Sequence, residues 1–192
     1  MNNLLPYDGE AYYLGRIIPA DEAGVFFHQL LTNIAWQHEE AIIYGRRIIT
    51  KRLVAWYGNK AFAYAYSGIT KQALPFTNHL LQLLQMAEKA TEETFNSCLL
   101  NLYHTGEEGM GWHSDNETTL QPNRAIASVS LGAERRFMFR HKKTGETISV
   151  LLEEGSLLLM KGTAQTHWQH SLPKTKKVKA ARINLTFRSM KE

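Results

Sequence analysis

The sequence predicts one α+β domain, a mainly antiparallel β-barrel buttressed by helices, and three observations carry that expectation. A chain of 192 residues with 44% hydrophobic composition can bury one core but is short for two. From residue 95 onward it consists of short β-prone runs broken by turn residues, at 95–103, 125–131, 136–141, 147–152, 156–161, 166–170 and 182–188. Helical periodicity is confined to two earlier segments.

In chain order, Ala11-Tyr12-Tyr13-Leu14 reads as a short strand. Ala20-Asp21-Glu22 then opens a helix, acidic where the dipole favours it, with Val25, Phe26, Leu30, Leu31 and Ile34 at three- and four-residue spacing. A second helix starts near Pro75 and presents Leu80, Leu81, Leu83, Leu84 and Met86 on a face broad enough to cover a sheet. Between the helices, residues 42–69 are rich in Tyr, Trp and basic side chains and punctuated by Gly45, Gly58 and Gly68, which suggests hairpins and exposed loops. No internal repeat or linker marks a second domain, so residues 1–192 are expected to fold as one.

The formal charge is +4, from 22 Lys and Arg against 18 Asp and Glu, which suits an anionic partner without requiring one. The excess is local: Arg46, Arg47, Lys51 and Arg52; then Arg140, Lys142 and Lys143; then Lys174, Lys176, Lys177 and Lys179. Each cluster can be a solvated loop or a set of phosphate contacts. The single cysteine, Cys98, lies in an apolar run, which excludes an intrachain disulfide and suits a reducing compartment. The first residues lack the basic start and apolar stretch of a signal peptide, and a soluble cytoplasmic protein is the expectation.

Chemistry concentrates in three segments. His113-Ser114-Asp115 follows the glycine-rich turn 106–111 and places an imidazole and a carboxylate two residues apart. With His170 they would grip one side of a metal ion and leave the other side open, the geometry of non-haem Fe(II) oxygenases, although zinc hydrolases accept the same donors. His104, His141 and His167 are rival third ligands, and in an extended strand His167 would face away from His170. In the run Arg182-Ile183-Asn184-Leu185-Thr186-Phe187-Arg188, alternation puts two guanidiniums, an amide and a hydroxyl on one face and three apolar side chains on the other. The polar face of such a strand can simply meet water. Turned into a barrel, two arginines need carboxylate partners, which a bound dicarboxylate and Asp115 would supply. Asn101 and Tyr103 share a face just upstream of the metal motif and could bind the same ligand.

The order Asn-Leu-Tyr, His-Ser-Asp, Trp-Gln-His and Arg-x-Asn-x-Thr-x-Arg resembles the AlkB family of nucleic-acid dealkylating dioxygenases, most of all the branch that repairs double-stranded DNA. The resemblance implies a double-stranded β-helix, or jelly-roll, core at about 95–190 and a nucleotide-recognition lid at about 36–70. It implies Fe(II) on His113, Asp115 and His170, with 2-oxoglutarate and O2 as co-substrates. Arg182, Asn101 and Tyr103 would hold the far carboxylate of 2-oxoglutarate, Arg188 would lie near its metal-bound end and Asp115, and Asn184 would complete that wall. A flipped base would stack between Tyr66 and His113, with Tyr64 and Glu117 lining the pocket. Tyr44 and Gly45 match the position of an apolar finger inserted into duplex DNA, although relatives favour phenylalanine where this chain has Tyr44 and Pro-Arg where it has Lys51-Arg52. Arg46, Arg47, Arg52, Lys174, Lys176, Lys177 and Lys179 would contact phosphates.

The implied function is oxidative dealkylation of bases such as 1-methyladenine and 3-methylcytosine in alkylated DNA, by a monomer that releases succinate, CO2 and an aldehyde. The same chemistry on RNA, a protein or a small molecule is the first rival, and a non-catalytic nucleic-acid binding module the second.

Overall fold

Two helices cover one face of a broad sheet, and each has a readable cause. Helix α1 (Ala20–Asn33) follows Pro19, carries Asp21 and Glu22 in its first turn, and buries Ala23, Phe26 and Leu30. Helix α2 (Asn78–Thr91) begins where the Thr77 side chain accepts the Leu80 N–H, and ends at Glu92 in the left-handed region (φ 57°). It buries Leu80, Leu83, Leu84 and Ala87. The helix starts later than Pro75 predicts, because Leu74–Pro75 forms the two-residue strand β6 instead. In this computed structural model the described residues are 2–43, 46–66 and 69–191, the side chains of 40–43, 46–48, 64–66 and 69–71 excepted.

The strands are β1 (Glu10–Arg16), β2 (Gln37–Ile43), β3 (Arg46–Gly58), β4 (Ala63–Tyr66), β5 (Ile69–Gln72), β6, β7 (Ser97–Tyr103), β8 (Met110–His113), β9 (Ile126–Gly132), β10 (Arg135–His141), β11 (Thr147–Leu152), β12 (Ser156–Lys161), β13 (Trp168–Leu172) and β14 (Arg182–Arg188). The larger sheet runs β1-β12-β9-β14-β7-β3-β2 with β6 beside β3, and the smaller runs β11-β10-β13-β8. Both are antiparallel along these paths, apart from the β3–β6 pairing. Strands β4 and β5 form a separate hairpin.

Apolar side chains separate into two cores. Ile183, Leu185 and Phe187 of β14 are fully buried in a cluster with Phe26, Leu30, Leu80 and Leu83 of the helices. Each such side chain contributes about 1.5–3 kcal/mol. The second cluster, with Tyr103, Phe137, Phe139, Leu158 and Trp168, draws on strands of both sheets. The opposite face of β14 therefore turns inward between the sheets, and Arg182 and Arg188 are 2% and 8% exposed. Cys98 is fully buried in the first core, as its apolar run predicts.

Two local expectations fail. Residues 166–170 are not one strand, since Ala164–His167 forms a single helical turn, α3, and β13 begins at Trp168. The Lys142 ammonium grips the carbonyls of Gln165 and Thr166 and fixes that turn. The stretch 106–111 is a turn only in part, because β8 starts at Met110 and pairs with β13. A Cβ on Gly109 would lie 2.4 Å from the Leu172 carbonyl oxygen, so this glycine permits close approach of two chains.

Candidate metal centre and co-substrate site

His113 at the end of β8 and His170 in β13 are directly opposed across the ladder, with ring centroids 4.2 Å apart. Asp115, two residues beyond β8, is turned back on the pair. Its Oδ1 lies 3.7 Å from His113 Nε2 and 3.8 Å from His170 Nε2. The turn is pinned at two points: Ser114 Oγ donates to the Trp168 carbonyl at 2.9 Å, and the Asp115 N–H donates to Gln165 Oε1 at 2.8 Å. Nδ1 of His113 lies 2.8 Å from the Gly111 carbonyl, which can only accept, so Nδ1 carries hydrogen and Nε2 keeps its lone pair for a metal.

Electrostatics prepare two of the three groups. Burial pushes His170 down to about 4, against the opposing pull of Asp115, so the ring is neutral and ligand-ready at pH 7. Burial alone would raise the Asp115 carboxyl, but Arg188, His170 and His113 outweigh it and hold the group below the usual carboxylate range. Phe137 stacks on His170 at 5.4 Å and fixes the ring plane.

Beside this triad lies a cationic wall. Arg182 donates to Ser130 Oγ at 2.9 Å and sits over the Tyr103 ring at 5.8 Å. Its Nε is buried without a hydrogen-bond partner, and among the described residues no carboxylate pairs with it. Burial pushes this guanidinium down to about 10 despite the nearby Tyr103. β14 pairs with β7 so that Arg182 opposes Tyr103 and Asn184 opposes Asn101. Asn184 is itself tied to Ser128 Oγ and the Val129 carbonyl, at 2.8 and 3.1 Å.

A family model described as the 2OG-Fe(II) oxygenase superfamily matches residues 10–188. The chain belongs to this superfamily. It is 40% identical to the DNA oxidative demethylase ALKBH2 of Mus musculus over 156 residues, which are 77% of this chain and 65% of that protein. It is 36% identical to the alpha-ketoglutarate-dependent dioxygenase alkB homolog 3 of Homo sapiens, over 90% of this chain and 63% of the relative. Against the Arabidopsis thaliana ALKBH2 it is 31% identical over 96% of this chain and 67% of the relative. The chain thus spans about two thirds of the length of these relatives. The solved structure of OsALKBH1 shares the fold, with a TM-score of 0.65 at 15% identity over 93% of this chain and 97% of that one.

This superfamily works with Fe(II), 2-oxoglutarate and O2, and the residues fit them. Two imidazoles and one carboxylate, all donor atoms within 4.8 Å of one another, form an iron-type donor set. The unpaired guanidinium of Arg182 is a seat for a carboxylate.

The remaining predicted residues divide. Arg188 lies where the resemblance puts it, its Nε 3.6 Å from Asp115 Oδ2, and it also bonds Glu117 Oε1 at 3.0 Å. Glu117 lines a cavity of about 210 Å³ with Asp115, Gln165 and Arg188, and His113 is not among its lining residues. Arg52 corrects an expectation. Instead of reaching for phosphate, its Nε donates to Asn101 Oδ1 at 3.1 Å and its head pairs with Glu39, leaving the side chain 11% exposed. Lys174, Lys176, Lys177 and Lys179 are exposed on the loop between β13 and β14. Tyr44 and Gly45 lie outside the described residues, as do the side chains of Arg46, Arg47, Tyr64 and Tyr66, whose backbones belong to β3 and β4.

Of the rival ligands, His104 is held by Glu108, and His141 and His167 stack on each other away from the triad. Four supporting residues were assigned no role from the sequence. Ser128 and Ser130 alternate in the apolar strand β9, a readable sign of a polar inner face. Arg135 is 2% exposed and donates to the carbonyls of Thr105, Gly106, Glu108 and Pro173, fastening the loop that leads into β8. Gln165 left no signal in the sequence.

Proposed function

We propose that the chain is an Fe(II)/2-oxoglutarate-dependent dioxygenase that removes alkyl groups from damaged bases in DNA, 1-methyladenine and 3-methylcytosine being the model substrates. The observation that supports this reading most is the His113–Asp115–His170 triad beside the buried Arg182 guanidinium, whose Nε has no hydrogen-bond partner and which pairs with no carboxylate among the described residues, in a chain 40% identical to a DNA oxidative demethylase. Bound Fe(II) supplies the activation of O2, coupled to decarboxylation of 2-oxoglutarate to succinate and CO2.

The chain's own residues bind and orient. His113 and His170 offer ring nitrogens, Asp115 offers charge, and Arg188 keeps that charge from accepting a proton. Arg182, Asn101 and Tyr103 select a five-carbon dicarboxylate by holding its far end, with Arg188 on the metal side. Hydroxylation of the carbon attached to a base nitrogen gives a hemiaminal that releases the aldehyde and restores the base. No side chain is needed as general acid or base for the carbon–hydrogen step. Tyr66 and Tyr64 on the β4–β5 hairpin are assigned to the base, and the exposed lysines of 174–179 to phosphates. We take the enzyme to act as a monomer in the cytoplasm, a reducing compartment that the buried Cys98 suits.

The test is turnover on matched methylated single-stranded and duplex DNA and RNA, with wild type, His170→Ala and Tyr66→Ala. We expect demethylation of DNA, loss of both demethylation and succinate formation in His170→Ala, and loss of demethylation alone in Tyr66→Ala. Succinate formation without repair of any nucleic acid would move the substrate to a protein or small molecule. Repair confined to RNA would change the polymer. Unchanged nucleic-acid binding with no turnover at all would leave a binding module.

A further inference from the structure

A second cluster of metal-type donors lies outside the catalytic triad. His141 at the end of β10, His167 at the end of α3 and Asp8 in the N-terminal segment bring one donor atom each to within 4.8 Å of one another. His141 is 3% exposed, and its Nε2 is buried without a hydrogen-bond partner, 3.3 Å from Asp8 Oδ2. Asp8 is half-exposed and opens the cluster to solvent.

The hydrogen-bond chain around Nδ1 bears on what Nε2 carries. Glu146 Oε2 can only accept, so the Tyr7 hydroxyl, 2.7 Å away, donates to it. The Thr144 hydroxyl, 2.8 Å from Tyr7 Oη, must then donate to Tyr7. Thr144 Oγ1 is left as an acceptor 3.1 Å from His141 Nδ1, which places hydrogen on Nδ1. With hydrogen on Nδ1 and none on Nε2, the ring aims its Nε2 lone pair at a carboxylate oxygen. Two electron-rich atoms held that close call for a cation between them.

We infer that Asp8, His141 and His167 bind a second divalent ion of the zinc class, which ties the N-terminal segment to the β10–β11 turn and to α3. Two imidazole nitrogens, one carboxylate oxygen and a solvent ligand on the Asp8 side make a tetrahedral set, for which bonds near 2.0–2.2 Å give donor separations of about 3.4 Å. The His141–Asp8 distance already matches, and Asp8 lies on an exposed turn that can close the rest. The orienting contact from Nδ1 to Thr144 is of the kind that fixes metal-binding histidines. The neighbouring ammonium of Lys142 is occupied by the carbonyls of Gln165 and Thr166. Trp168 Nε1 bonds the Tyr7 carbonyl at 3.0 Å, so the segment bearing Asp8 is already docked beside the strand that carries His170.

The competing arrangement has the Thr144 backbone N–H, also 3.1 Å from Nδ1, donate to it. The proton then sits on Nε2, bonds Asp8 directly, and no metal is taken up. The experiment is metal content by mass spectrometry of the untagged full-length chain after saturation with Zn(II) and desalting, for wild type, Asp8→Asn and His167→Gln. The expected result is one equivalent fewer in each variant than in wild type, with succinate turnover of the Fe(II)-loaded variants unchanged. Asp8→Asn loses no buried packing and keeps its shape, so it reports on the site even where His167→Gln folds poorly. Equal zinc content in wild type and Asp8→Asn would overturn the inference in favour of the proton-bridged pair.

Discussion

Arg182→Met should make the protein without co-substrate more stable while removing its response to 2-oxoglutarate. Burial pushes the guanidinium down from its ordinary value to about 10. At ~1.4 kcal/mol per tenfold change in proton affinity, the uncompensated charge costs about 3 kcal/mol. Methionine removes that cost and fills much of the same volume, but forfeits the bond to Ser130 Oγ and leaves that hydroxyl unpaired, a loss of about 1–2 kcal/mol. The net gain is about 1–2 kcal/mol, in line with the replacement of buried charges by apolar side chains elsewhere. For a chain of this length that corresponds to a rise in Tm of roughly 2–8 °C. Wild type should in turn gain about 2.7 kcal/mol from 2-oxoglutarate at a hundredfold excess over its Kd, whereas the variant should gain nothing. Thermal melts with and without 2-oxoglutarate in the presence of Mn(II) read both effects. A variant that melts lower than wild type without ligand, yet still rises with it, would refute the assignment of Arg182 as a carboxylate seat held in waiting.

Other outcomes follow from the same geometry. In the metal-free protein His170 is depressed from 6.5 to about 4, so the unfolded chain takes up the proton first. Its contribution is therefore complete above pH 6.5 and is lost as pH falls toward 4, by at most ~1.4 kcal/mol per pH unit, and His170→Gln should flatten that part of a denaturation-against-pH curve. Arg135→Met should cost about 3 kcal/mol, roughly 6–12 °C in Tm, because up to four backbone carbonyls lose a charged donor, as differential scanning calorimetry would show. Arg52→Met should raise the KM for 2-oxoglutarate several-fold while leaving the salt dependence of DNA binding unchanged, since its guanidinium orients Asn101. A steady-state titration of 2-oxoglutarate beside a salt series separates that outcome from a phosphate contact.

Alternation and chemistry made the centre of the site legible. In the 182–188 run, a strict two-residue period of polar and apolar side chains can serve only one buried face at a time. The pairing of two arginines with an upstream His-x-Asp ligand motif turned the polar face inward, where the structure has it. His113 and Asp115 were readable as a two-residue donor motif, but His170 was chosen over His104, His141 and His167 through the family resemblance, since spacing alone left those rivals open. Arg52 was not readable: a basic residue in a basic cluster looks like a phosphate contact until Glu39 and Asn101, distant in sequence or on another strand, are seen to claim it. Gly109 was read as a turn because close approach to Leu172 is a tertiary fact with no local signature. The turn at 164–167 looked like a strand because its β-prone residues carry no information about Lys142 capping its carbonyls.

Anomalous diffraction from a crystal grown with Mn(II) and 2-oxoglutarate tests the central claim most directly. An ion about 2.2 Å from His113 Nε2, an Asp115 oxygen and His170 Nε2, with the far carboxylate of 2-oxoglutarate on Arg182, is the predicted result. An unfilled triad, or a co-substrate bound with Arg182 still unpaired, would contradict it.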